Sequence, residues 1–414
     1  MLPGSSEVQE ASVKAYESGG CIGVILKNCR IVDVRHGCIR ESWVTIQRDR
    51  IVSLDSKSTN NHRVIDLEGA YVLPGLINCH AHLSIDFPFH KIDESEDSAT
   101  TALRCYRRGM DALEAGITTV RTLGERHRAD ITLRNMIRKG WVRGPRIFSG
   151  GRGITVSGGH GHGFGAVYAD GIDEFRKRAR EEIAAGADHL KIFITGGIAH
   201  RTEAFGESQM TNEEIGAVVS VARSKNTYVS AHAGDCRPIQ QAVHEGVRCF
   251  EHGYFLDQET AQMMRKAGAY LVPTLCVTRS QEWMKAQGFE EWTIKKALDA
   301  GSDHLESVRT AVREGVPIIN GTDIPPGETD RKVNITVREA EFMVDAGLSP
   351  LNAIQATSLH AAQLLRADNE IGVVEPGYLA DLIAVRQNPL EGIASLGEIF
   401  LVVQGGDIVR WDQP

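Results

Sequence analysis

The 414-residue sequence has no Cys-x-x-Cys pair among its 8 cysteines and no excess of positive charge. It also has no apolar run approaching the roughly 20 residues that a membrane span requires. Each absence closes a class. The scattered thiols (Cys21, Cys29, Cys38, Cys79, Cys105, Cys236, Cys249 and Cys276) suit neither structural zinc nor a stapled secreted domain, and read as buried or incidental reduced thiols. A formal net charge of −8 leaves no electrostatic footprint for nucleic acid or an anionic membrane. Met1-Leu2-Pro3-Gly4-Ser5-Ser6-Glu7 lacks the basic region and apolar core of a signal peptide. The expected setting is the cytoplasm, with no nucleic-acid or membrane partner.

What is present is an ordinary globular composition, 42% hydrophobic and 24% charged, and enough length for one large barrel with an accessory layer. The most informative segment is Val72-Leu73-Pro74-Gly75-Leu76-Ile77-Asn78-Cys79-His80-Ala81-His82-Leu83, where an apolar strand runs into two histidines one residue apart. Residues two apart on a strand point to the same side. His80 and His82 can therefore send both imidazoles into one cavity, half of a divalent-metal site. With 15 histidines in the chain, one such pair arises by chance. Four further places repeat the pattern of a polar residue near the end of a short apolar run. These are Lys191 in Asp188-His189-Leu190-Lys191-Ile192, His232 in Val229-Ser230-Ala231-His232, His252 in Cys249-Phe250-Glu251-His252 and Asp323 in Pro317-Ile318-Ile319-Asn320-Gly321-Thr322-Asp323.

Apolar strands alternate with amphipathic helices eight times. The predicted strands are Tyr71–Asn78, Thr118–Thr122, Arg146–Ser149, Leu190–Thr195, Tyr228–Ala231, Cys249–Glu251, Tyr270–Thr274 and Pro317–Thr322, with helices such as Ser98–Ala115, Ile172–Ala185, Asn212–Ser224 and Ala300–Glu314 between them. Such a pattern predicts an α/β fold, a (β/α)8 TIM barrel whose active site lies at the C-terminal ends of the strands. Short β-strands at the two termini (Gly23–Asp33, Trp43–Ile46 and Arg50–Leu54; Ala380–Val385, Ile399–Gln404 and Asp407–Arg410) predict a small β-sandwich assembled from both ends. The expected division is 1–73 and 363–414 for the sandwich and 74–362 for the barrel.

His80, His82, His232, His252 and Asp323 can hold one or two divalent ions. Lys191 is the odd member, since a protonated ammonium has no lone pair to offer a metal. It could line the rim or neutralise Asp323. Yet between Leu190 and Ile192 in a buried strand, an unpaired ammonium costs several kcal/mol. Carbon dioxide converts a neutral lysine amine to a carbamate, whose two oxygens can bridge two metals.

On these motifs, together with Gly377-Tyr378-Leu379-Ala380-Asp381-Leu382 near the C-terminus, the chain resembles the amidohydrolase superfamily over nearly its whole length. The resemblance implies a binuclear site, with Zn2+ the expected metal. One ion is held by His80, His82, Lys191 and Asp323 and the other by Lys191, His232 and His252, with Lys191 carboxylated and a hydroxide bridging the pair. Within the superfamily the chain looks most like the branch of imidazolonepropionase, prolidases, Xaa-Arg/Lys dipeptidases and ochratoxin-hydrolysing amidases. Lys191, in Leu190-Lys191-Ile192-Phe193-Ile194-Thr195-Gly196-Gly197, tilts the choice towards amide hydrolysis.

Other residues are candidates for substrate contact. His160 and His162 in the glycine-rich loop Ser157–Gly163 could bind substrate, ligate metal or merely line the rim. Tyr228, four residues before His232, could donate to an oxyanion or pack as a barrel aromatic. Arg237 could clamp a carboxylate or sit solvated at a helix start. Arg201 and Glu203, in the loop after the fourth strand, are candidates for substrate choice. Asp323 is expected to shuttle a proton as well as bind metal. The expected enzyme hydrolyses dipeptides or N-acyl amino acids with a free carboxylate, as a homo-oligomer. No apolar slot for a neutral group is evident in the sequence. The rivals are a cyclic-amide or imidazolone hydrolase, an ochratoxin-type N-acyl-phenylalanine amidase and a non-catalytic scaffold; the last would be expected to lose ligands, and none is missing.

Overall fold

A computed structural model describes residues 23–55, 62–326 and 334–412. The readings of Met1–Glu7 and of Cys21 lie outside these residues. Strands from the two ends of the chain share one 8-stranded sheet. In it Leu382–Val385 pairs antiparallel with Tyr71–Pro74, and Tyr71–Pro74 pairs parallel with Gly23–Asp33. Its apolar residues, among them Leu26, Ile31, Val44, Leu382 and Val403, form a core of their own.

The remaining strands are parallel throughout. One sheet contains Leu76–Ala81, Ile117–Thr122 and Arg146–Ser149. The other contains Val167–Tyr168, Ile154–Thr155, Leu190–Phe193, Val229–Asp235, Cys249–Phe255 and Tyr270–Val272 in that order. Helices follow these strands, giving mixed α/β content. Their ends obey local chemistry: Asp97 caps Ser98–Glu114 by accepting from Ala99 and Thr100, and Thr211 with Glu214 forms a capping box on Asn212–Ser224. Gly246 (φ 98) ends Cys236–Glu245 in the left-handed conformation.

Two sequence expectations need correction. Tyr71–Asn78 is not one strand: it breaks at Gly75, so that Tyr71–Pro74 joins the terminal sheet and Leu76–Ala81 starts the parallel set. A Cβ at Gly75 would lie 2.2 Å from Oγ1 of Thr118, so only glycine lets the chain change sheets there. Pro317–Thr322 forms a bridge at Ile318 rather than a regular strand. Its backbone is nevertheless bonded on both sides. Ile319 donates to Leu271 (2.9 Å), Cys79 donates to Asn320 (2.8 Å), and Thr322 and Asp323 donate to His80 (3.0 and 2.8 Å). The seven described cysteines are unpaired. Among the described residues, no helix is long and apolar enough to cross a membrane.

Candidate active site

Asn78 shows how the sequence builds the site. Its carboxamide accepts from the backbone of His80 (3.0 Å) and donates to the hydroxyls of Thr322 (2.9 Å) and Thr336 (3.0 Å), tying the first parallel strand to the segment that carries Asp323. Oδ1 of Asp323 then lies 3.1 Å from Nε2 of His80 and 3.0 Å from Nε2 of His82, with Oδ2 3.9 Å from Nε2 of His252. His80, His252 and Asp323 present ligand atoms all within 4.8 Å of one another. The His232 ring centroid is 4.5 Å from that of His252. All six residues singled out in the sequence as metal ligands line one cavity.

Their environment suits cation binding. His232 and His252 are held far below the ordinary imidazole range by burial, reinforced at His232 by neighbouring positive charge and only partly opposed at His252 by Asp323, so both are neutral and carry a free lone pair. Burial lowers Lys191 to about 8, and its Nζ has no hydrogen-bond partner. Burial opposes charge on His82, but Asp323 and Glu125 outweigh it and raise the ring to about 9. Four imidazoles, a carboxylate held well below the usual range by His80 and His82 against its burial, and an orphaned buried amine form a donor set that fits divalent metal. Two of these residues carry backbone strain: His252 (φ 72) and Asp323 (φ 55) sit in the left-handed region that non-glycine residues rarely occupy.

Behind the ligands stands a set of buried partners that the sequence reading did not anticipate. Glu251, directly before His252, accepts from Nδ1 of His80 (2.8 Å), from Arg121 (2.8 Å) and from the Ser230 hydroxyl. Arg121 and Glu251 are both fully buried. Thr274 pairs with Nδ1 of His252 at 2.7 Å. Glu125 accepts from the backbone of Leu83 (2.9 Å) and Ser84 (2.6 Å), fixing the turn just after His82. Fixing the second ring nitrogen is what orients a metal-binding histidine. The available signal was a charged residue inside an apolar strand, as in Thr118-Thr119-Val120-Arg121-Thr122.

The substrate candidates divide. His160 joins the cavity: its ring stacks on His232 at 4.1 Å, and Nδ1 lies 2.6 Å from Oε2 of Glu203. Glu203 thus joins it, while Tyr228, His162, Arg201 and Arg237 stand apart. Tyr228 precedes the Val229–Asp235 strand, and four residues at about 3.3 Å each separate it from His232. Its ring stacks on His189 at 5.2 Å amid Cys79, Cys249 and Val272, and lines neither cavity beside the histidines, which corrects its expected role. Arg237 is exposed at the start of the Cys236–Glu245 helix, and Arg201 and His162 are exposed on the outer rim. Helix geometry turns Arg237 outward, away from the strand face that bears His232.

An apolar slot, absent from the sequence expectation, opens beside Asp323, His160 and His232. Phe87, Tyr254, Val277, Trp283, Met284 and Phe289 form its wall. The Trp283 and Phe289 rings are 5.6 Å apart, and Tyr254 lies parallel to His252 at 5.2 Å. Two helices missed in the sequence, Gln281–Gln287 and Glu291–Asp299, frame this wall. Their short apolar spacing is interrupted by Gly288, which hid the periodicity.

The sequence matches the amidohydrolase family over residues 71–409, and the chain belongs to that family. Ochratoxinase of Aspergillus niger is 29% identical over 373 residues, covering 82% of this chain and 75% of that protein. Among solved structures, a prolidase complexed with N-methylphosphonate-L-proline superposes with a TM-score of 0.86 at 29% identity, covering 94% of this chain and 100% of that one. A Xaa-Pro dipeptidase with methionine bound in its active site gives 0.85 at 29% identity, covering 94% and 99%. The chain is accordingly an enzyme, a hydrolase acting on carbon–nitrogen bonds.

Proposed function

We propose that this chain is a binuclear metal-dependent amidohydrolase that cleaves the amide bond of dipeptides or N-acyl amino acids bearing a free carboxylate and an apolar or aromatic group. The observation that carries the reading is Lys191, whose buried, unpartnered amine shares a cavity with four histidines and Asp323. Lowered to about 8, that amine is neutral often enough near neutral pH to add to carbon dioxide. The new N–C bond forms as an amine proton leaves, and the product is an anion with two donor oxygens. Two divalent ions, zinc in the first instance, would then be held by His80, His82, Lys191 and Asp323 and by Lys191, His232 and His252.

Bound there, such ions supply Lewis acidity towards the amide carbonyl and a lowered pKa for water. The protein's own groups do the rest. Asp323, ionised and partly accessible, can accept a proton from the attacking water and return it to the leaving nitrogen. With Glu203 held at Nδ1 of His160, the second ring nitrogen, Nε2, is left for a polar group of the substrate. The aromatic wall takes the apolar group and excludes water. In this reading the two parallel sheets close through the 317–323 segment into one (β/α)8 barrel, residues 74–362. Residues 1–73 and 363–414 form the accessory β-sandwich, and the chain assembles as a homo-oligomer.

The likenesses to prolidase, Xaa-Pro dipeptidase and ochratoxinase support the same substrate class. Metal-loaded protein assayed against Xaa-Pro, Xaa-Leu, Xaa-Phe, N-acyl-phenylalanines and imidazolone propionate tests it. Turnover of the open-chain amides, lost on chelation and restored by metal, is expected. Turnover of the ring substrate alone would replace this reading with the cyclic-amide one.

A further inference from the structure

We propose that Lys296 is a positioning residue for the substrate face of the site, acting through the Gly197–Glu203 loop on His160. The inference rests on the reading of His160 as the group that meets the substrate. Lys296 lies on the Glu291–Asp299 helix, and its ammonium donates to three backbone carbonyls of one loop: Gly197 (2.6 Å), His200 (2.7 Å) and Glu203 (2.6 Å). An ammonium has three N–H donors, and here all three are used on a single loop some ninety residues away in sequence. None of these partners is a carboxylate, so this is a clamp on backbone rather than a surface ion pair.

The clamp is one bond from the chemistry. The peptide N–H of Gly197 donates to Oε2 of Glu203 at 3.0 Å, and the same oxygen lies 2.6 Å from Nδ1 of His160. Lys296 therefore fixes the carbonyl of Gly197 while Glu203 fixes its N–H. No side chain fits at that residue: a Cβ on Gly197 would lie 2.6 Å from Cε1 of His160 and 2.9 Å from the His232 ring. The loop is pressed directly against the two stacked imidazoles. Trp283, on the Gln281–Gln287 helix, and Phe289, in the link from that helix to the one carrying Lys296, line the apolar slot. One side chain thus sets the spacing between the aromatic wall and His160, the two surfaces that receive the substrate.

Lysine is the residue this geometry requires. Three carbonyls converging on one point suit a compact ammonium, whereas the planar fork of arginine spreads its donors. In the metal-loaded full-length enzyme, Lys296→Met keeps the aliphatic stem and removes every donor. It should lower kcat/KM for an apolar dipeptide about 10–100-fold, the range for loss of an outer partner, with metal content unchanged and Lys296→Arg restoring only part of the loss. The preference for a free-carboxylate substrate over its C-terminal amide, lost in His160→Ala, should also fall in Lys296→Met, and deuterium uptake across residues 196–205 should rise. The double variant should be no worse than His160→Ala alone, because the relay ends at His160. Losses that multiply in the double variant, unchanged uptake, or Lys296→Met activity within twofold of wild type would each overturn the proposal. Should Lys296→Met not fold, Glu203→Gln cuts the same relay one bond later and must reproduce the fall in acid-to-amide preference; a wild-type preference there overturns it equally. A wild type inactive on every amide sinks the proposed function, whereas the deuterium-uptake comparison still decides whether Lys296 holds the loop.

Discussion

The strand-borne and loop-borne halves of the site are built by different means. On the strands, each of two key imidazoles has a buried partner at its second nitrogen: Glu251 for His80 and Thr274 for His252, with Glu251 itself locked by Arg121 and Ser230. On the loops, His160 has a single carboxylate, supplied by another loop that hangs from Lys296, and His162 and Arg201, like Arg237 at its helix start, reach solvent. Chemistry that must not move is placed on rigid sheet, and the groups that meet a substrate are placed where insertion and substitution are tolerated. Damage to the first half should therefore abolish turnover, and damage to the second should retune it.

The largest effects are expected at the cavity floor. Lys191→Ala should lose metal, falling from about two ions per chain, and lose turnover with it, with partial rescue by short carboxylic acids that replace the missing carbamate. Asp323→Asn should retain the fold and lower kcat by ~10²–10⁴-fold, the contribution of one general acid–base group. Metal analysis and steady-state kinetics on the same preparations measure both. Full activity in Lys191→Ala would erase the distinction between the two halves.

Glu251→Gln tests the locking itself. Burial disfavours the Glu251 carboxylate, but Arg121 and His80 outweigh it, so its pKa lies well below the usual carboxylate range. A depressed folded pKa contributes stability above the unfolded value, about 4.3, and that contribution is lost as pH falls through the folded pKa. Removing the charge leaves the Arg121 guanidinium buried without its anionic partner, at a cost of about 3–5 kcal/mol. Urea midpoints should show the wild type most ahead of the variant above about pH 4.3, with the gap closing in more acid solution. A gap independent of pH would assign the effect to packing.

The same division explains what the sequence made legible. His80, His82, His232, His252 and Asp323 could be read because each ends an apolar run, and a two-residue period converts such spacing into a shared face. The Gly75 break could not, because only the three-dimensional approach of Thr118 reveals that no side chain fits there. Tyr228 misled for a related reason: period two gives the correct face but not the depth along the strand. Arg237 and Arg201 were chosen for charge and for their place just after a strand, and neither feature says where a side chain points. The aromatic slot was invisible because Phe87 and Trp283 are nearly 200 residues apart in the chain and meet only through the fold.

A milder effect should come from the slot. Trp283→Ala removes part of its wall, and burying one aromatic group contributes at least about 1.5 kcal/mol, so KM for substrates with a Phe or Leu side chain should rise about tenfold. Substrates with alanine in its place should change little, and metal content should stay at wild-type level. Equal losses for both substrates would mean that Trp283 supports the fold of the helical pair rather than the substrate.

The smallest effect is expected where sequence reading placed a carboxylate clamp. Arg237 is solvated at its helix start, and an exposed charge of that kind contributes at most about 1 kcal/mol, so Arg237→Ala and Arg201→Ala should each stay within a few-fold of wild type. If the substrate carboxylate is met by His160 instead, its charged hydrogen bond contributes roughly 1.5–3 kcal/mol, and amidating the C-terminus should cut kcat/KM about tenfold to a hundredfold. That acid-to-amide ratio should survive in both arginine variants and in Tyr228→Phe, and collapse in His160→Asn. A ratio that collapses in Arg237→Ala would return the clamp to that helix start and require it to fold inward on binding. A ratio near one in the wild type would remove the carboxylate contact altogether and favour ring opening over exopeptidase chemistry.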